Sequence, residues 1–182
     1  MHNSLYIRDM LRAMNAHPEV RRHRDVHRDC AQDERARPER KDIYLAGSWA
    51  VESHIASQVD GLLTLDLKDF LARMGVEVRA GTDQVVRFEL DKALGERDFI
   101  LDVQSGSVTV SAGGISGAWA GLAWLEFEMR SRRGPFLPRG HTTRRAAWPI
   151  QISQGPWGAN YSVPDLSLEF LSDDCFRLYA HY

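Results

Sequence analysis

The chain is short of the features that usually announce a chemistry. It has two cysteines, Cys30 and Cys175, far apart and in no spaced motif, so no disulfide framework is expected. No apolar run is long enough to span a bilayer. The start, MHNSLYIRDMLRAM, lacks the basic-then-apolar order of a secretory leader. A cytoplasmic protein without a membrane partner is the expectation. Charge of neither sign dominates: 23 basic against 25 acidic residues leave a net charge of −2. No global field therefore argues for a nucleic-acid partner. Internal repeats are also missing. What remains is an ordinary globular composition, 43% hydrophobic and 26% charged, over 182 residues. That length suits one domain with a real core, or one domain and the start of another.

The first 42 residues differ from the rest. Leu5, Ile7, Met10, Leu11 and Met14 can form one short amphipathic helix. After Pro18, both charge signs mix in EVRRHRDVHRDCAQDERARPERKD, which reads as a solvated helical arm laced with ion pairs. A sharper reading takes His23, His27 and Cys30 as zinc ligands, because on a helix they share one face. The set lacks a fourth ligand, so no metal is assigned and these three stay weak candidates. A nucleic-acid arm is the other option, but the interleaved acids cancel much of its field.

Beyond the arm, Ile43 to Ala46 reads as a short strand closed by Gly47. Ser53 to Met74 reads as helical, with Leu63, Leu67, Phe70, Leu71 and Met74 on one stripe and Gly75 as its stop. Val76 to Val78 and Val85 to Leu90 read as strands, the second with Val86, Phe88 and Leu90 alternating.

The stretch from Asp98 to Pro135 carries the firmest pattern. Phe99, Leu101 and Val103 alternate, as do Val108 and Val110, and Ser105-Gly106 lies between the runs. This spacing predicts an antiparallel hairpin. Gly113-Gly114 lets the backbone bend, and Ser116 is the expected N-cap of a helix. Ala118, Leu122, Leu125 and Met129 mark its buried face, and Gly134-Pro135 its end, after which Phe136 to Gly140 reads as a connecting segment. Glycines between a strand and a helix can cradle phosphate. However, Ala112 stands where the first glycine of a dinucleotide fingerprint belongs, and a hairpin is not a parallel βαβ unit. No cofactor is expected. The small residues instead let the helix approach the sheet, with Trp119 and Trp124 as packing residues rather than sugar platforms.

The run FILDVQSGSVTVSAGGISGAWAGLAWLEFEM resembles the end of the small non-catalytic α/β domain that precedes the barrel in family 20 glycoside hydrolases, the β-N-acetylhexosaminidases. A related domain precedes the barrel in α-glucuronidases. The resemblance spans Ile43 to Arg145 and is sharpest over the hairpin and helix. It implies an α+β fold: a mainly antiparallel sheet with helices packed on one face.

In the family an arginine-containing lead-in and the first strand and helix of a (β/α)8 barrel follow. The order after Arg144 is similar: Pro149 to Ser153 as a strand, Gln154 to Pro164 as a loop, then a helix with Leu168, Leu171, Cys175 and Leu178. The implied domains are an arm at 1–42, an accessory domain at 43–145 and the first βα unit of an incomplete barrel at 146–182. One such unit cannot close a barrel.

The implied function follows from that order. The chain is expected to be the N-terminal part of a glycosidase that acts on O-glycosidic bonds, β-N-acetylhexosaminidase-like or α-glucuronidase-like. The missing barrel and a carbohydrate are its partners. Family 20 enzymes use a neighbouring Asp-Glu pair on a later strand, so no catalytic residue is expected here. Asp173-Asp174 is a pair in sequence only. Barrel active sites lie on the loops after the strands, which makes Trp157, Asn160 and Tyr161 the candidate sugar contacts. The alternative is a stand-alone carbohydrate-binding or scaffold module with no enzyme attached. The reading frame beyond Tyr182 separates the two.

Overall fold

A computed structural model describes residues 27, 30–55 and 60–147. His27 apart, all of these belong to one compact unit, Asp29–Pro149. The expected N-terminal helix of Leu5 to Met14 and everything expected after Ala147 lie outside the described residues.

In chain order the unit contains β1 (Asp42–Tyr44), β2 (Ser48–Ser53), α1 (Asp60–Arg73), β3 (Glu77–Val78), β4 (Val85–Leu90), β5 (Phe99–Gln104), β6 (Ser107–Ala112), α2 (Ile115–Ser131), β7 (Phe136–Pro138) and β8 (Gly140–Arg144). Six strands form the main sheet in the order β3-β2-β4-β6-β5-β8, while β1 and β7 pair apart from it. The β2–β3, β2–β4 and β4–β6 pairs are parallel; β5–β6 and β5–β8 are antiparallel. The sheet is therefore mixed, which corrects the expectation of antiparallel dominance. The cause is α1. Parallel neighbours need a crossover, and a helix between β2 and β4 supplies it.

The hairpin is as read. Gln104 pairs with Ser107 across the Ser105-Gly106 turn, where Gly106 has φ 81°, a conformation that favours glycine. Phe99, Leu101 and Val103 on β5 and Val108, Val110 and Ala112 on β6 are buried. The alternate residues, from Ile100 and Asp102 to Thr109 and Ser111, are not. Period-two alternation thus separates a core face from an open polar face.

Both helices rest on the core face, α1 against β2 and β3, α2 against β5 and β6, and they touch each other. The α1 stripe Leu63, Leu67, Phe70 and Leu71 is fully buried, as are Ala118, Leu122, Leu125 and Met129 of α2. Trp49, from β2, is buried in the same core.

Three sequence expectations need correction. The first strand is Asp42–Tyr44; it pairs with β7 and stays outside the main sheet. Ser53 closes strand β2 and does not open a helix; the helix α1 is described over Asp60–Arg73. The stretch from Phe136 to Gly140, read as a connection, supplies β7 and the start of β8.

The unit also reaches back before Ile43. Cys30 joins the core, and the Asp33 N–H donates to the Arg133 carbonyl at 2.9 Å. No described helix is long and apolar enough to cross a membrane.

Candidate functional site

Among the described residues, two places bring functional side chains or close backbone approaches together: the glycine corner before α2, and a pair of buried acids between the helices.

At the corner, lack of space explains each glycine. A Cβ on Gly113 would lie 2.0 Å from the Gly95 carbonyl oxygen, and one on Gly117 would lie 2.5 Å from the Asp98 oxygen. A Cβ on Gly121 would meet Val110 Cγ1 at 2.4 Å. The loop before β5 is therefore pressed against the start of the helix. Main-chain bonds fix it there: Gly113 N–H to the Asp98 oxygen and Gly117 N–H to the Glu96 oxygen, both 3.1 Å.

The helix cap is Gly114, in an extended conformation, and it makes no side-chain cap bond. Ser116 is the second residue of the helix, exposed in its first turn, so it is not the N-cap that its position in the sequence suggested. The Glu96 carboxylate stands against Gly114, with an oxygen 2.1 Å from where a Cβ would be. An acid beside the positive end of a helix dipole is favourable. The place where a phosphate would sit against these glycines holds one of the chain's own carboxylates.

Asp66 and Glu126 form the second place. Both are essentially fully buried. Each presents a carboxylate oxygen within 4.8 Å of the other. Glu126 Oε2 accepts from Arg130 Nη2 at 3.1 Å, and the Arg130 guanidinium lies 5.5 Å from the Phe70 ring centre. Two buried carboxylates at this spacing suit a hard cation bound by oxygen ligands. Sequence reading missed both residues. The signal was there: Asp66 interrupts the Leu63-Leu67-Phe70 stripe, and Glu126 falls between Leu125 and Met129.

The candidates named from the sequence fare differently. Trp157, Asn160 and Tyr161 lie outside the described residues, as do His23 and Asp173-Asp174. His27 is buried in a turn. Cys30 is buried in the apolar core of the unit, outside any helix. A helix face carrying His27 and Cys30 together is not what the chain adopts at Cys30. Trp119 and Trp124 pack partly buried against the core, and the Arg144 guanidinium lies 3.9 Å from the Trp124 ring centre. The reading of both as packing residues agrees with that placement.

No family model and no curated protein matches the chain. Solved structures similar to it include glycoside hydrolases of family 20. One is the β-N-acetylhexosaminidase from Streptomyces coelicolor A3(2), with 19% identity, 62% of this chain and 25% of that one covered, and a TM-score of 0.42. A second is a mutant Streptomyces plicatus β-hexosaminidase in complex with GlcNAc, with 20% identity, 62% and 25% covered, and a TM-score of 0.46. A third is the β-N-acetylhexosaminidase from Bacteroides fragilis NCTC 9343, with 16% identity, 59% and 22% covered, and a TM-score of 0.44. The chain spans a quarter or less of the length of these enzymes.

Proposed function

We propose that this chain is the N-terminal part of a glycoside hydrolase of the family 20 kind. In this reading, residues 43–145 are the accessory α/β domain that supports the barrel, and 146–182 begin the barrel itself. One observation carries the reading. The hairpin, the glycine corner and α2 follow one another in the order and at the positions that the resemblance requires. The glycines stand where the backbone leaves no room for a side chain.

The accessory unit supplies no chemistry. Its buried acids, Asp66 and Glu126, sit in the core between the helices, away from any barrel loop in sequence. Glycoside hydrolysis needs two carboxyl groups flanking the scissile bond, and the missing barrel is where such a pair would come from. Carbohydrate is the substrate of the whole protein, with Trp157, Asn160 and Tyr161 as contacts. An aromatic face stacks on the C–H face of a pyranose, and an amide both donates to and accepts from hydroxyls. The glycoside is an N-acetyl-β-hexosaminide or an α-glucuronide.

The reading frame downstream of Tyr182 tests this. Continuation through further βα units with a neighbouring acidic pair is the expected result. A stop codon directly after Tyr182 in the intact gene would overturn the glycosidase reading and leave a stand-alone module.

A further inference from the structure

Residues 145–147 are irregular and, like Arg144 at the end of the edge strand β8, exposed, yet α2 and the loop before β5 hold this stretch. Arg144 pairs in register with Phe99 at the end of β8, and its guanidinium lies 3.9 Å from the centre of the Trp124 ring on α2. Two residues on, the Ala146 N–H donates to Asp98 Oδ1 at 2.8 Å. Asp98 is itself fixed on both sides: its N–H donates to the Gly95 carbonyl at 2.8 Å, and its carbonyl accepts from Gly113 at 3.1 Å.

An edge strand that simply ran out would need neither contact. A guanidinium over an indole face and an amide bonded to a carboxylate are each stronger than their neutral counterparts. Together they grip the chain from two sides, one grip on the helix and one on the glycine corner.

We infer that Asp98 and Trp124 form a two-point clamp that fixes the direction in which the chain leaves the unit after β8. The clamp also links that exit to the glycine corner, because one residue, Asp98, bonds to both. Under the accessory-domain reading it sets the angle at which the following domain is presented. The clamp itself does not depend on that reading, and its test reads this chain alone.

Amide hydrogen exchange on the 182-residue protein provides that test. In the wild type, the Ala146 amide should exchange about tenfold more slowly than an unstructured peptide amide. Asp98→Ala should remove that protection, whereas Asp98→Asn, which keeps an acceptor oxygen, should retain part of it. Arg144→Gln should speed exchange at Ala146 and leave Val108 and Val110 unchanged. The Val108 and Val110 amides also report whether Asp98→Ala still folds; if it does not, Arg144→Gln decides alone. Wild-type Ala146 exchanging like a free peptide would overturn the clamp. So would protection that neither Asp98→Ala nor Arg144→Gln alters in folded protein.

Discussion

The two ends of α2 are held by different physics. At its N-terminus the constraint is space: Gly113, Gly117 and Gly121 each face atoms within 2.5 Å of where a Cβ would be. Few charges take part there, apart from Glu96 against Gly114. At the C-terminus the constraint is charge and backbone conformation. Arg132 donates to Asp42 at 3.3 Å and pairs with Glu128, and the Asp42 side chain is only 3% exposed. Asp42 opens strand β1, so the Arg132 contact ties that strand to the helix end, and its other oxygen accepts from the Glu39 N–H at 2.9 Å.

Arg133 then takes φ 57°, the left-handed conformation that usually calls for glycine. The Gly134 N–H reaches Met129 O at 3.1 Å and the Arg133 N–H reaches Arg130 O at 3.0 Å, which is the Schellman pattern. A steric constraint admits no partial compromise, whereas ionic and conformational terms change by degrees. The N-terminal end should therefore respond sharply to one methyl group, and the C-terminal end in small steps that depend on salt.

The largest effect is expected between the two ends. Leu122 is fully buried against the sheet, so Leu122→Ala should cost about 2–5 kcal/mol. A urea denaturation midpoint unchanged by this substitution would remove α2 from the core. Next comes Gly113→Ala, whose methyl would sit 2.0 Å from a backbone carbonyl that cannot swing away. The expected loss is about 1–3 kcal/mol or more, independent of ionic strength. Asp42→Ala probes the other end. It leaves Arg132 with Glu128 as its one acidic partner and should cost about 1–3 kcal/mol, a cost that shrinks modestly as salt rises, because the pair is largely buried. A salt-independent loss at Asp42, or a salt-dependent one at Gly113, would break the contrast. The smallest effect has the opposite sign. Arg133→Gly relieves a left-handed strain of about 1–2 kcal/mol against an added glycine entropy of about 0.5–1 kcal/mol, and should stabilise slightly. Its ion pair with Asp33 is long, 3.7 Å, with the arginine side chain 75% exposed, so little is lost. A fall in thermal midpoint would show that this exposed pair outweighs the strain.

How far the sequence spoke for itself varies along the chain. The hairpin and α2 were legible because their signals are local: period-two alternation, a Ser-Gly turn and a stripe at helical spacing. Strand β2, SWAVES, was not, since consecutive Trp49 and Ala50 are both buried and hide the alternation. β8, GHTTR, is a polar edge strand with no apolar face to read. β1 and β7 are three residues each, and what makes them strands is a partner far away in sequence, Ile43 opposite Leu137. The mixed sheet follows from the same blindness: without β2, nothing signals the β2-α1-β4 crossover.

At the candidate site, the corner glycines were legible as packing glycines, but the carboxylate that fills the corner was not. Glu96 reaches Gly114 only through the loop's tertiary path. Asp66 and Glu126 could have been found as polar residues on otherwise apolar stripes.

The accessory-domain reading meets its most direct test in turnover. The 182-residue chain and the longer protein that this reading calls for should be assayed side by side on a chromogenic N-acetyl-β-glucosaminide and an α-glucuronide. The account predicts no hydrolysis by the shorter chain, and hydrolysis of one of the two substrates by the longer protein. Hydrolysis by the 182-residue chain alone, or none by the longer protein on either substrate, would contradict it.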